Sequence, residues 1–288
     1  MQIGQPSRTA LGAAALRAAH QVLDGAAIFV DPLAVRILGS DAQDMLRDAD
    51  DASRQRLRWF IAIRTRVAED ALALAIERGV SQLVVLGAGL DTYAYRTPAS
   101  GKLRIFEVDH PSTQAWKRER LAETGIALPA TLRFVPVDFE RETLADGLGA
   151  AGFDPAQQTF FTWLGVVPYL TESAVFATLG TIAGLPGGAH VVFDYVNPAA
   201  SIMEAGSRAA HEALAARVAA IGEALQCRFD SEELHARLAE LGFRDVEDLG
   251  PHQIAQRFFP GRIPPGRLSQ GQTASSGAGA HVLRAATV

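Results

Sequence analysis

The 288-residue chain has little cysteine, little lysine and no excess of positive charge. A single cysteine, Cys227, excludes an internal disulfide and a cysteine-rich zinc site. Among 27 basic residues only Lys102 and Lys117 are lysines, and the net charge of -5 argues against a nucleic-acid partner, which requires a basic face. No apolar run approaches the roughly 20 residues of a membrane span. Arg8 and Arg17 interrupt the segment where a signal peptide needs an apolar core, so we expect a cytoplasmic protein without a membrane partner.

Two chemical patterns are also missing from the sequence. No group of His, Asp and Glu has metal-ligand spacing, so we expect no bound metal. The Gly-x-Ser-x-Gly turn that presents a nucleophilic serine does not occur. The 48% of apolar residues excludes a disordered chain and fits one large globular domain over residues 1–288.

Short apolar runs alternate with helical segments beyond residue 80. The first five runs cover 82–86, 103–108, 132–137, 159–164 and 190–196. This alternation predicts a parallel sheet covered by helices on both faces. Two further runs, 243–249 and 281–286, are expected to complete it as an antiparallel pair. The predicted fold is therefore α/β, with a doubly wound, mostly parallel seven-stranded sheet of Rossmann-like type, which binds ligands beyond the carboxyl ends of its strands.

Two helical segments fall outside this alternation. Residues 1–56 predict an N-terminal helical cap, in which Asp31 and Pro32 are expected to start a helix. Residues 198–226 predict a helical lid insertion, with apolar side chains on one stripe. We expect both segments to cover the active site and to select the substrate.

A glycine pair follows the first predicted strand directly. Gly87 and Gly89 let the backbone turn tightly and approach a ligand closely. The second predicted strand ends at Asp109, which lies 22 residues after Gly87 (109 − 87). A carboxylate there can accept two hydrogen bonds from a ribose diol. Glu107 shares the side-chain direction of Asp109 in a regular strand, so it is a second candidate.

Two residues of this loop indicate the charge of the ligand. A dinucleotide fingerprint requires a third glycine at position 92, where this chain has Thr92. Asp91 places a negative charge beside the loop, which repels a pyrophosphate but not a cationic sulfonium. The pattern therefore favours S-adenosylmethionine over NAD.

A set of motifs lies between roughly residues 7 and 197. These are Gly87 to Thr92 with Tyr95-Arg96, Arg64 to Arg66 with Glu69-Asp70, Glu107 to Pro111, Val137 to Phe139, and Gly165 to Leu170. With this set the chain resembles the leucine carboxyl methyltransferase-like family of class I methyltransferases, which includes protein phosphatase methyltransferases and bacterial small-molecule O-methyltransferases.

The resemblance implies S-adenosylmethionine as cofactor and S-adenosylhomocysteine as product. Arg64, or as second choice Arg66, would hold the methionine carboxylate, since a guanidinium binds carboxylates in bidentate geometry. The adenosyl part would contact the loop and the strand ends through Gly87, Ala88, Gly89, Asp91, Glu107, Asp109, Asp138 and Phe139. Some family members have Glu where this chain has Leu164, whose backbone carbonyl would have to accept the methionine ammonium.

The catalytic base is left open by the sequence. A carboxylate acceptor needs none, whereas a phenol or an alcohol usually does. Candidates near strand ends or in the lid are His110, Tyr169, Asp194, Tyr195 and His211. Each has an ordinary structural alternative, such as a helix cap for His110. The N-terminal arm adds Ser7 and Arg8 as substrate-side candidates.

The best-supported function is an S-adenosylmethionine-dependent O-methyltransferase that acts on a small carboxyl or hydroxyl compound, as in specialised metabolism. One alternative is an NAD-dependent oxidoreductase on a similar sheet. The other is a non-catalytic protein that binds an adenosyl ligand. We expect a monomer or a homodimer, and the fold by itself does not identify the acceptor.

Overall fold

The structure is a computed structural model. It describes residues 7–51, 54–96, 103–138, 142–201, 224–260 and 279–288, together with seven positions between 208 and 219. The chain divides into two compact units, Met1–Thr162 and Trp163–Val288. The prediction of one domain over the whole chain stays a prediction.

The first unit begins with three helices, α1 (Arg8–Leu23), α2 (Ala42–Ala49) and α3 (Gln55–Glu77). The hydroxyl of Ser7 accepts the backbone N–H of Ala10 and so caps α1. Helix α3 ends before Gly79, whose φ of 108° suits glycine. Helix α1 packs against both α2 and α3. The predicted helix at Asp31 is wrong, because this segment forms a turn and a 3-10 helix over Arg36–Asp41.

Four parallel strands and three helices complete the first unit. The strands are β1 (Gln82–Leu86), β2 (Arg104–Asp109), β3 (Leu132–Pro136) and β4 (Thr159–Trp163). The helices are α4 (Tyr93–Arg96), α5 (Pro111–Glu123) and α6 (Leu144–Ala150). Strand β1 pairs with β2 and β4, and β2 pairs with β3. All five residues of β1 are buried, as expected for a central parallel strand.

The second unit contains β5 (Ala189–Val196), β6 (Asp245–Leu249) and β7 (Ala280–Ala286). Strand β7 is antiparallel to both β5 and β6, as the sequence predicted for the closing pair. The helices are α7 (Glu172–Ala183), α8 (Ser231–Glu240) and α9 (Pro251–Phe258). Thr171 caps α7 and Asp230 caps α8 through their side-chain oxygens.

The strand order is β3-β2-β1-β4-β5-β7-β6, which confirms the doubly wound, mostly parallel α/β sheet of seven strands. Each predicted strand matches an observed one to within about two residues at either end. The predicted lid falls largely on residues 202–223, most of which lie outside the described residues. No helix in the described ranges is long and apolar enough to cross a membrane.

Candidate functional site

A tight glycine turn links β1 to α4. Gly87 and Gly89 have φ of 63° and 42°, a region that favours glycine. The turn is fixed from both sides: the N–H of Ala88 donates to the carbonyl of Val108 at 3.1 Å, and that of Asp91 donates to the carbonyl of Ala88 at 2.7 Å. The predicted tight turn is therefore present in the structure, and a close approach of its backbone to a ligand stays a prediction.

Asp109, at the carboxyl end of β2, lies directly against this turn. Its Oδ2 accepts the N–H of Gly89 at 2.6 Å, and its Oδ1 accepts the N–H of His110 at 2.7 Å. A carboxylate has about four lone-pair sites, so about two remain for other donors. Burial raises the pKa of Asp109 above its ordinary value of 3.8, and the two N–H donors lower it in part. A ligand that donates two hydrogen bonds, such as a vicinal diol, would therefore stabilise the ionised form of this carboxylate.

Asp138 follows β3 at the same edge of the sheet. The N–H of Val137 donates to the carbonyl of Asp109 at 2.9 Å, which continues the β2–β3 ladder to the strand ends. The N–H of Asp138 itself donates to the carboxylate of Glu142 at 3.1 Å. The structure therefore brings Asp138 to the end of the strand next to Asp109, as predicted. Phe139 lies outside the described residues.

Glu107, the second acidic candidate of β2, is held by groups of the protein. Its side chain is 1% exposed, and its Oε2 lies 2.7 Å from Nζ of Lys117 on α5. The hydroxyl of Tyr95 donates to the same oxygen at 2.9 Å. Burial raises the pKa of Glu107 to about 6, against the opposing effects of Lys117 and Tyr95. These contacts show a buried structural ion pair, and a contact of Glu107 with the ribose stays a prediction.

The two arginine candidates lie on α3 with different surroundings. Arg66 is exposed, and its Nε donates to both oxygens of Asp70 at 2.8 and 2.9 Å. Arg64 is partly buried, next to the fully buried Ile63 and the buried Thr65. The burial pattern favours Arg64 over Arg66 for an inward-facing role, which agrees with the order of preference from the sequence.

The sequence reading did not predict a buried polar group that lies against the glycine turn. Arg17 of α1 donates to the carbonyl of Leu90 at 2.6 Å, and the hydroxyl of Thr92 donates to Asp31 at 2.6 Å. Arg96 of α4 lies against the same carboxylate. A partial signal was available, because Thr92 and Arg96 stand in the motif that carried the family resemblance. Nothing in the local pattern pointed to Asp31 as their partner.

The second unit holds the candidates that follow β4 and end β5. Leu164 is partly buried, and Gly165 next to it has a φ of 73°. The carboxylate of Asp194, a buried residue of β5, accepts the N–H of Gly165 at 2.5 Å. Asp194 thus positions the chain just after Leu164. A contact of the Leu164 carbonyl with a ligand stays a prediction.

The side chain of Tyr195 lies in a polar cluster within the second unit. Its hydroxyl donates to Asp248 at 2.6 Å and lies 2.7 Å from the hydroxyl of Ser231. Its ring stacks on His281, with centroids 4.7 Å apart. His281 and His235 each contact the carboxylate of Asp248 at 2.9 Å. Burial and the nearby Asp248 raise the pKa of Tyr195 well above its ordinary value of 10.0.

The other base and substrate-side candidates have the structural contacts expected of loop and cap residues. The side chain of His110 caps α5, since its Nδ1 accepts the N–H of Ser112 at 3.2 Å. Tyr169 forms part of a 3-10 turn, and its carbonyl accepts the side-chain amide of Gln226 at 2.9 Å.

The N-terminal candidates open helix α1. Ser7 caps the helix and Arg8 is its exposed first residue. His211 lies outside the described residues. The described part of the chain also contains no group of three or more His, Cys, Asp and Glu residues that could hold a metal ion.

Comparison with known proteins gives a consistent result. Residues 10–183 match the family model described as leucine carboxyl methyltransferase. A Bacillus subtilis (strain 168) protein named as a candidate S-adenosyl-L-methionine-dependent methyltransferase, YktD, is 30% identical, and the alignment covers 91% of this chain and 94% of that protein. A Rhodococcus jostii (strain RHA1) protein with the same kind of name is 36% identical, over 65% of this chain and 64% of its own length.

Among solved structures, a candidate methyltransferase from Thermobifida fusca YX has a similar fold. Its TM-score is 0.58 at 14% identity, and the match covers 100% of this chain and 97% of that one. At this level of identity the similarity bears on the fold alone.

Proposed function

This chain belongs to the leucine carboxyl methyltransferase family and is an S-adenosylmethionine-dependent methyltransferase, and we propose that it methylates an oxygen of a small molecule, with a carboxylate as the favoured acceptor. Family membership decides against the oxidoreductase and the non-catalytic alternatives. The acceptor has to be argued from the site.

The residues at the strand ends fit the cofactor. The unused lone pairs of Asp109 match the two hydroxyls of a ribose, and the glycine turn beside it has no side chain at Gly87 or Gly89 to keep a ligand from the backbone. Asp138 at the next strand end would face the adenine edge, as the family resemblance implies. Arg64 would hold the methionine carboxylate. When bound, S-adenosylmethionine supplies a methyl group that its sulfonium already activates.

The charges around the turn suit this ligand. Asp91 lies in the loop after β1, and Asp109 at the end of β2 lies against that loop. Burial raises the pKa of Asp109. Each carboxylate would attract a sulfonium and repel a pyrophosphate. Thr92 stands where a dinucleotide fingerprint has glycine, and its hydroxyl is used in the contact with Asp31.

The observation that carries the choice of acceptor is that three of the five candidate bases already form hydrogen bonds within the protein. In the part of the chain that the structure describes, His110 caps a helix, Asp194 accepts the N–H of Gly165, and Tyr195 is held in a cluster that raises its pKa. A carboxylate is a nucleophile at neutral pH without a base. This favours a carboxylate over a phenol or an alcohol, because the protein then has only to align the acceptor at about 3–3.5 Å and to exclude water.

The experiment uses S-adenosylmethionine labelled in the methyl group and two acceptor pools, one of small carboxylic acids and one of small phenols and alcohols. Transfer to the carboxylic acids should give products that release labelled methanol in mild alkali, because methyl esters hydrolyse there and methyl ethers do not. Label found only in alkali-stable products would contradict the carboxylate proposal. The Asp109→Ala variant is the control for background methylation.

A further inference from the structure

Asp31 lies in the first unit at the centre of a buried polar network. Its side chain is fully buried. Oδ2 accepts the hydroxyl of Thr92 at 2.6 Å and lies 2.9 Å from Nε of Arg17. Oδ1 accepts the N–H of Leu33 at 2.9 Å and lies 3.7 Å from Nε of Arg96. One carboxylate therefore joins the segment after α1, helix α1 itself and the start of α4.

The network pairs carboxylates with guanidinium groups. Arg96 also pairs with both oxygens of Glu69 on α3, and its Nε donates to the hydroxyl of Thr92 at 3.1 Å. Two carboxylates, Asp31 and Glu69, thus face two guanidinium groups, Arg17 and Arg96. A buried charge is tolerated only when it is paired and hydrogen-bonded, so removal of one member leaves the others uncompensated.

The same network is attached to the glycine turn. Arg17 donates to the carbonyl of Leu90 at 2.6 Å, one residue after Gly89. Helix α1 is also in close contact there, because a Cβ built on Gly89 would lie 3.1 Å from the Cβ of Ala10. On the opposite side, Asp109 accepts the N–H of Gly89. The turn is therefore held between β2 and the N-terminal segment.

We propose that Asp31 is a positioning residue for S-adenosylmethionine. It acts through Thr92, Arg17 and Arg96, which hold the turn from Gly87 to Asp91 in the conformation that binds the cofactor. Helix α1 is then part of the cofactor site, in addition to any role in covering the acceptor. The proposal rests on the cofactor of this family and is independent of which acceptor is methylated.

The physical reason is preorganisation. A turn with positive φ at two glycines has many alternative conformations when it is free, and ordering it on binding costs conformational entropy. Contacts at Leu90, Thr92 and Arg96 order the turn before the cofactor binds, so binding does not have to offset this loss of conformational entropy. Loss of these contacts should weaken binding without removing any atom that touches the ligand.

The test is calorimetric titration of the whole protein with S-adenosylhomocysteine. Thr92→Val keeps the shape of the side chain and removes two hydrogen bonds, the one donated to Asp31 and the one accepted from Arg96, so Kd should rise about fivefold. Asp31→Asn perturbs the paired charges as well, so Kd should rise more than tenfold. Asp41→Asn is the matched control: Asp41 forms an ion pair with Arg120 at 3.2 Å in the same unit but is 61% exposed, and its Kd should match that of the native protein.

A second measurement separates positioning from general destabilisation. Hydrogen exchange of the ligand-free protein, well below its unfolding temperature, should be faster at residues 87–92 in Thr92→Val than in the native protein, and unchanged in the central strand β1. If Asp31→Asn does not fold, the Kd and the hydrogen exchange of Thr92→Val test the proposal on their own. Native affinity and native exchange in a folded Thr92→Val would overturn the proposal. Failure of the native protein to bind S-adenosylhomocysteine would instead contradict the cofactor itself, and the proposal with it.

Discussion

The backbone N–H of Gly89 donates to the carboxylate of Asp109 across 2.6 Å, so the acid of β2 that we propose for the ribose also fixes the turn that follows β1. The glycine turn and the acid, which the sequence analysis linked by their spacing, are therefore in direct contact. A substitution at either residue should therefore alter the conformation of the other.

Asp109→Ala should weaken the binding of S-adenosylhomocysteine by about 1–3 kcal/mol, the usual cost of lost hydrogen bonds to a charged group. Calorimetric titration measures this. Affinity for the native protein should also fall as the pH falls through the raised pKa of Asp109, because a diol binds best to the ionised carboxylate. Asp109→Asn should lack this pH dependence. Asp146→Asn, at an exposed carboxylate of α6, is the control and should behave as the native protein.

Gly89→Ala should reduce both cofactor affinity and stability. Its φ of 42° is unfavourable for a side chain, and the new Cβ would lie 3.1 Å from the Cβ of Ala10. We expect a loss of about 1–2 kcal/mol in the free energy of unfolding, measured with urea. Gly149→Ala is the matched control: it lies in α6 with nothing within 4 Å of the new Cβ, and should be neutral or stabilising by about 0.5–1 kcal/mol. Equal effects of the two substitutions would contradict this account.

Glu107→Leu should destabilise the protein by about 3–5 kcal/mol at pH 8, because it leaves the ammonium of Lys117 and the hydroxyl of Tyr95 buried without their acceptor. The double variant Glu107→Leu with Lys117→Met should lose much less, since it removes both charges together. Urea unfolding of the two variants and the native protein measures the difference. A double variant as unstable as the single one would show that the packing, and not the ion pair, determines the cost.

The same pair predicts a pH dependence of stability. Burial raises the pKa of Glu107 from 4.5 to about 6 in the folded state. For a raised pKa, the favourable contribution is present below about pH 4.5 and is lost as the pH rises through about 6. The native protein should therefore lose stability relative to the double variant as the pH rises from about 4.5 to above about 6.

Asp248→Asn should destabilise the second unit by about 2–3 kcal/mol, because the carboxylate accepts from Tyr195 and contacts two histidines. These contacts hold the pKa of Asp248 below its ordinary value of 3.8, against the effect of burial. Its contribution is present above pH 3.8 and is lost as the pH falls through the lowered pKa. His235→Ala is the comparison: its side chain is 40% exposed, and its loss should cost less than about 1 kcal/mol in the same unfolding experiment.

The sequence predicted the sheet well because its strands are short, apolar runs between clear helix signals. Strand β1 is buried on both faces and therefore carries no polar residue except Gln82 at its start. The starts of α5, α7 and α8 carry equally local signals, which are the proline at Pro111 and the capping side chains of Thr171 and Asp230. Both kinds of signal lie within a few residues of the structure that they specify.

Long-range pairing was the part that the sequence did not reveal. Asp31 and Thr92 are 61 residues apart, and the local pattern at Asp31 suggested a helix start instead. Glu107 was expected to face a ligand because its spacing from Asp109 places both on one side of β2. Its carboxylate lies against Lys117, ten residues later on α5 (117 − 107), a partner that the sequence analysis did not name. Such partners depend on which helix packs over a strand, which the pattern of a single segment does not contain.

The placement of β7 between β5 and β6 has a consequence for the order in which the protein can assemble. Strand β6 is made before β7, and β7 is its one partner among the strands of the described residues, so during synthesis its hydrogen-bonding edge stays open until residues 280–286 have left the ribosome. Over that interval the nascent chain presents two unfinished strand edges, those of β5 and β6, to neighbouring chains. Correct assembly of this unit therefore depends on timing as well as on stability, and slow release of the C-terminal segment should favour aggregation over folding.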